Sequence, residues 1–268
     1  MKKNVFIVLL GAIMFSCSSD DESSPIVDID VSTGDYLPME NGNYWKYDVQ
    51  GDLQTGEDSL YVSGDVTLGG KNYKGFQTDE PAIGFYSNAL STNGVRKEGD
   101  RLLLTGTAMI SFAEDFPLNI QLNDFTILNE SSANGTVLAS VSGTVPYQYQ
   151  DYTFNFNYTL SSVAMSHLST YTAPNGEVYT NVIPVMVKLN LSVGTVLSGA
   201  GVSLPVSIMA PQDVVISTRY FAKDVGVVNA TTDIHYKLAN FAQFGVELPL
   251  PQTYDAEQHE VLIDYQTE

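Results

Sequence analysis

Three histidines, one cysteine and 31 carboxylates are the groups in this 268-residue chain that could do acid–base, nucleophilic or metal chemistry. The histidines, His167, His235 and His259, stand far apart, and none belongs to an H-x-x-x-H or H-x-H pair that would present two imidazoles to one metal. Nucleophilic hydrolysis needs a Ser or Cys beside a base and an oxyanion hole, and no Gly-x-Ser-x-Gly elbow occurs. Glu57-Asp58-Ser59-Leu60 has glutamate where the Gly-Asp-Ser-Leu esterase block has glycine, and it lies inside a strand-like run. Asp79-Glu80 and Glu114-Asp115 are the visible carboxylate doublets, each one or two residues ahead of a proline (Pro81, Pro117), as in a solvated turn. Asp28-Ile29-Asp30 and Asp20-Asp21-Glu22 offer calcium-ligand types without a twelve-residue EF-hand loop. Gly69-Gly70-Lys71 lacks the spaced first glycine and the Ser/Thr of a phosphate loop. The sequence therefore nominates no catalytic residue, no metal site and no cofactor.

Cys17 is the exception, a residue with a chemical destiny. As the lone cysteine it cannot form an intramolecular disulfide. A free thiol in an oxidising compartment is a liability unless it is chemically consumed. Ahead of it, Lys2 and Lys3 form a positive n-region, and Val5–Phe15 is an apolar run of 11 residues. That run is too short to cross a hydrocarbon core of roughly 30 Å as a helix, but it suits a signal-peptide h-region. Met14-Phe15-Ser16-Cys17 resembles a lipobox, with Met14 where leucine is commonest. The resemblance implies a thioether-linked diacylglycerol on Cys17 and cleavage just before it. Two acyl chains make such an anchor durable. The following Ser18–Ser24 is small, polar and acidic, a composition that buries nothing and reads as a tether. Its Ser-Asp-Asp-Glu resembles the acidic export signal of Bacteroidota lipoproteins. The expected address is the outer membrane, with the cell surface ahead of the periplasmic face.

Charge narrows the partners. Without Lys2 and Lys3 the 12 bases fall to 10 against 31 acids, a formal charge of −21. Such a surface repels phosphate backbones, so no nucleic acid is expected. Nor is it drawn to anionic lipid, which leaves the acyl group as the membrane attachment.

The elements that must position any site are strands. Tyr152, Phe154, Phe156, Tyr158 and Leu160 alternate with Thr and Asn, a period of two that puts all five on one strand face. Val145, Tyr147 and Tyr149 keep the same period, and a turn or bulge is expected at Gln150-Asp151, where the register shifts. Further strands are expected at 44–49, 59–62, 73–77, 101–104, 108–112, 118–128, 137–141, 182–191, 202–208, 214–221 and 261–265, with a hairpin turn at Gly69-Gly70. The one helical expectation is two turns over Leu238–Phe244. The resulting expectation is an all-β or strongly β-dominated fold: a curved antiparallel sheet, sandwich or half-barrel. Residues 1–16 are the signal peptide, 17–34 the tether and 35–268 a single β-rich domain.

Two segments carry a family resemblance. Tyr36–Tyr47, with Pro38, Gly42, Asn43 and Trp45, resembles the opening of uncharacterised β-rich Bacteroidota lipoproteins, and Tyr220–Val228 resembles a segment near their end. The resemblance implies a curved antiparallel sheet, loosely similar to lipoprotein-carrier folds, and no activity. Trp45 is read as a core aromatic and Gly226 as a bulge or tight turn. Sixteen tyrosines and 12 phenylalanines raise a binding face at Tyr147, Tyr149, Tyr152 and Tyr158 against the competing reading of a core stripe. Functionally, the expectation is a non-catalytic envelope lipoprotein binding a glycan, lipid or protein. The alternatives are an accessory subunit of an envelope complex and a carboxylate-dependent hydrolase. Mass spectrometry of the mature N-terminus is expected to show an acylated Cys17, and Cys17→Ala is expected to leave the membrane fraction. An unmodified cysteine overturns the anchor.

Overall fold

A computed structural model describes residues 34–52, 54–111, 117–149, 152–199, 202–240 and 251–268. Cys17, the segments 1–16 and 17–33, Asp20–Glu22, Asp28–Asp30, Glu114-Asp115 and Gln150-Asp151 lie outside the described residues. The described chain is one antiparallel sheet: β1 (Tyr44–Gly51), β2 (Gly56–Leu68), β3 (Lys71–Thr78), a short helix α1 (Phe85–Ser91), β4 (Gly94–Glu98), β5 (Arg101–Ser111), β6 (Pro117–Asn129), β7 (Val137–Tyr149), β8 (Tyr152–Ala164), β9 (Leu168–Thr172), β10 (Val178–Gly199), β11 (Val202–Ala222), β12 (Gly226–Lys237) and β13 (Thr253–Gln266). The strand order is β6-β5-β4-β3-β2-β1-β13-β12-β11-β10-β8-β7, with β9 beside the lower part of β10. Only the pairing of β1 with β13 closes a long excursion of the chain; most other neighbours are sequence neighbours.

The sheet curls until it is a nearly closed barrel. At the seam, the buried Ser162 of β8 donates its hydroxyl proton to the Thr126 carbonyl of β6 at 2.5 Å. The curl follows from the sequence pattern, because the inward phase of each strand is apolar and has no second sheet to cover it. Trp45, Tyr47 and Val49 of β1, Leu60 and Val62 of β2, and Phe154, Phe156 and Leu160 of β8 all join one core. Closing the sheet on itself buries that phase and removes most exposed edge.

Tyr36–Tyr47 and Tyr220–Val228 meet in this core. Trp45 is fully buried, tilts against Phe76 at 6.2 Å and donates its indole N–H to the Val225 carbonyl at 2.5 Å. Tyr47 donates its hydroxyl proton to the Val227 carbonyl at 2.8 Å. Between those carbonyls, Gly226 has φ +110°, and a Cβ there would stand 2.7 Å from the Trp45 indole nitrogen. The glycine serves both needs of a tight turn against an aromatic ring.

Several expectations change in detail. The segments 101–104 and 108–112 belong to one strand, β5, which is continuous to Ser111 and whose register shifts at Leu102/Leu103 and Leu104/Gly106. Likewise 202–208 and 214–221 are halves of β11, and its polar interruption at Pro211–Asp213 is absorbed by bulges opposite Asn190–Gly194. β4, β9, β12 and α1 escape the periodicity reading. Leu238–Asn240 are not helical: the Leu238 amide bonds Gln252 and the Ala239 amide bonds Ile208, while 241–244 lie outside the described residues. Gly69 and Gly70 do make the hairpin turn, both with positive φ, as a type I′-like turn requires. Tyr149 of β7 pairs with Tyr152 of β8.

One ionic node ties four strands. Asp124 of β6, held in the left-handed region at φ 48°, accepts from Arg96 Nε of β4 at 2.8 Å, from Tyr73 of β3 at 2.7 Å and from Lys71. Thr105 of β5 accepts the Asp124 amide at 2.8 Å and donates to the Tyr73 hydroxyl at 3.0 Å. The Arg96 guanidinium first, then Lys71 and Tyr73, hold the Asp124 carboxyl well below the usual carboxylate range against an opposing contribution from burial. A depressed carboxylate stabilises the fold above its unfolded value near about pH 4 and loses that contribution as pH falls toward its folded value. Denaturant titrations of Asp124→Asn are therefore expected to give a flatter acid limb below about pH 4 than the parent protein.

Candidate functional site

The barrel interior is not uniformly apolar. Asp58 of β2, Gln258 and Glu260 of β13, Arg219 and Ser217 of β11 and Thr232 of β12 all point inward and are buried. Each sits in the phase that is otherwise apolar on its strand. On β13 that phase runs through Ala256 and Leu262, and on β11 through Val215 and Phe221.

What this polar group holds is α1. The helix enters the barrel between β3 and β4 and buries Tyr86, Ser87 and Leu90, a one-sided stripe. A helix start leaves N–H groups without internal partners, and Gly84, at the cap position, has no side chain to supply one. The partners come from the barrel wall. Asp58 accepts the Ile83 amide at 3.0 Å and the Gly84 amide at 2.7 Å. Gln258 accepts the Phe85 amide at 2.8 Å and donates to the Ile83 carbonyl at 3.1 Å. Glu260 accepts the Tyr86 amide at 2.5 Å on one oxygen, and on the other the Ser87 amide at 3.0 Å and hydroxyl at 2.7 Å. At the far end Asn93 donates to the Ala89 carbonyl at 2.7 Å and accepts the Thr107 amide of β5 at 2.6 Å.

Burial pushes the Glu260 carboxyl upward, Asp58 adds to that rise, and the Tyr86 and Ser87 donors pull it down. Asp58 and Glu260 form the kind of close, buried carboxylate pair a hydrolase would use. Every oxygen of the pair is occupied by backbone N–H or by Ser87, and neither residue reaches solvent. Their role in this geometry is to fasten a helix.

Arg219 is different. It is 4% exposed, its Nε has no hydrogen-bond partner among the described residues, and its Cζ lies 5.4 Å over the Tyr86 ring. Burial lowers its pKa, with Tyr86 and Glu260 opposing that shift. Glu260 is its nearby counter-charge, but the Glu260 oxygens are spent on α1. The Arg219 side chain lines a cavity of about 50 Å³ between α1 and the far wall of the barrel. Leu104, Ile110, Leu122, Phe125, Leu160 and Leu189 form its apolar wall, Asn88 of α1 and Thr92 and Asn93 just after it lie on the helix side, and Thr107 comes from β5.

The residues nominated from sequence lie elsewhere. Tyr147, Tyr149, Tyr152 and Tyr158 are half-buried and pack against the core, with Tyr147 edge-on to Phe156 at 6.4 Å and Tyr149 and Tyr152 each 6.4 Å from Phe154. His167 follows β8, His235 is on β12 and His259 is on β13, where it pairs with Glu257 at 2.8 Å. Among the described residues no three His, Cys, Asp or Glu side chains converge as a metal site. Asp79-Glu80 do form a bend before Pro81. Asp58, Glu260 and Arg219 escaped sequence reasoning, although one signal was present: ionisable residues in the apolar phase of strands.

Gly84 is the test of this arrangement, because a Cβ there would stand 2.2 Å from a Glu260 oxygen and 2.8 Å from an Asp58 oxygen. Gly84→Ala is expected to cost about 2 kcal/mol or more in urea unfolding, through displaced buried carboxylates. A change within about 0.5 kcal/mol, the range of ordinary surface substitutions, would dissociate α1 from its anchors. No family model, curated protein or solved structure matches this chain.

Proposed function

We propose that this protein is a non-catalytic, lipid-anchored lipoprotein of the outer membrane that binds a small apolar ligand inside its barrel. The observation that carries the reading is the cavity beside α1, mostly apolar, with Asn88, Thr92, Asn93, Thr107 and Arg219 as its polar groups. Concave, mostly apolar sites with a few polar groups are the usual form of small-molecule sites, and barrel interiors are a common place for them. The lipobox-like Met14–Cys17 supports the anchor. Among the described residues no helix is long and apolar enough to cross a membrane. The buried carboxylates support binding over catalysis, since their oxygens are already bonded to the backbone.

The test uses a neutral apolar probe, 1-hexanol, followed by amide NMR. Shifts are expected at Ala89, Thr107 and Leu122 around the cavity, and Ala108→Leu, which fills it from β5, is expected to abolish them. Shifts that ignore the filled cavity, or no shifts at all, would remove the interior-ligand reading.

A further inference from the structure

We infer that the cavity takes a small monocarboxylate with an apolar tail, its headgroup received by Arg219. This rests on the reading of the barrel interior as a ligand site and names its ligand class. A guanidinium carries five N–H donors and cannot be deprotonated under ordinary conditions. Leaving such a group buried without acceptors is costly. Arg219 is 4% exposed, no hydrogen bond or ion pair ties it to the described residues, and its Nε is orphaned. Its contact with the Tyr86 ring, at 5.4 Å, consumes no N–H. Its neighbouring counter-charge, Glu260, has both oxygens bonded to α1. Arg219, with its Nε–H unbonded, is thus the one charged residue in the lining of the apolar cavity.

A carboxylate is the acceptor that matches a guanidinium with two parallel hydrogen bonds. The wall opposite, with Leu122, Phe125 and Leu160, offers an apolar tail only aliphatic and aromatic contact. Size sets the length. One water needs about 10–15 Å³ of such space, so a cavity of about 50 Å³ holds about four waters. A chain of about four to six carbons fills that room, and a longer one must displace part of the wall.

The experiment titrates the full chain with hexanoate, 1-hexanol and hexylamine, following the Arg219 Nε–H resonance and the cavity amides by NMR. Hexanoate is expected to bind at least tenfold tighter than 1-hexanol and to move the Nε–H resonance, with hexylamine weakest. Arg219→Met is expected to erase the hexanoate preference and keep 1-hexanol binding. Arg219→Lys, which keeps the charge but loses the two-pronged geometry, is expected to reduce the preference and serves if the methionine variant does not fold. Equal affinity for hexanoate and 1-hexanol in the parent protein overturns the carboxylate assignment and leaves the interior-ligand reading standing. So does a preference that survives both substitutions undiminished. Failure of all three probes to bind overturns both.

Discussion

The structure depends on three side chains, Asp58, Gln258 and Glu260, reaching in from the barrel wall to bond successive backbone amides from Ile83 to Ser87. A closed sheet of this many strands leaves a lumen too wide for its own inward side chains to fill. Here a helix is drawn in as filling, and a helix brings unsatisfied N–H groups with it. Burying those groups unbonded would be costly. The carboxylates solve the helix's problem and create their own, two negative charges in a nonpolar setting. Arg219 stands close enough to balance part of that charge without touching it. The interior chemistry of this protein is therefore a chain of debts: the helix needs carboxylates, the carboxylates need a cation, and the cation lacks acceptors.

Most of the fold was legible because strand periodicity is a local signal. The alternation of Tyr152 to Leu160 specified a half-buried strand, and its inward phase does face the core. Gly69-Gly70 specified its turn because both residues take positive φ. The misreadings have equally local causes. Pro211–Asp213 looks like a break, yet bulges in β11 itself let the strand run through it. Phe85–Ser91 has only two turns, lacks a capping side chain, and owes its stability to residues up to 174 positions away. No window of sequence contains that information. The site suffered most for the same reason: Asp58 and Glu260 are adjacent only because β1 pairs with both β2 and β13.

Tyrosine illustrates how composition misleads about surfaces. The Tyr147–Tyr158 block is rich enough to suggest a sticky face, but its rings lean on Phe154 and Phe156 and are half-covered by the core. Rarer residues were more informative. Trp45 and Gly226, from opposite ends of the chain, share one contact in which an indole, a carbonyl and a glycine must all be present.

The hydrogen bonds of Asp35, Thr267 and Glu268 carry a mechanical consequence. Asp35 exchanges backbone and side-chain hydrogen bonds with Asp224 in the turn between β11 and β12, and Thr267 bonds the same Asp224. Glu268 bonds Asn43 just before β1. Following the antiparallel order from there, β3 delivers α1 at the opposite rim. A pull applied at Asp35 would therefore reach one rim first, through the turn before β12 and the ends of β1 and β13. The rim that holds α1 takes no part in these bonds, so the hydrogen bonds of Asp35 and Glu268 and the fastening of the helix sit at opposite poles of the barrel.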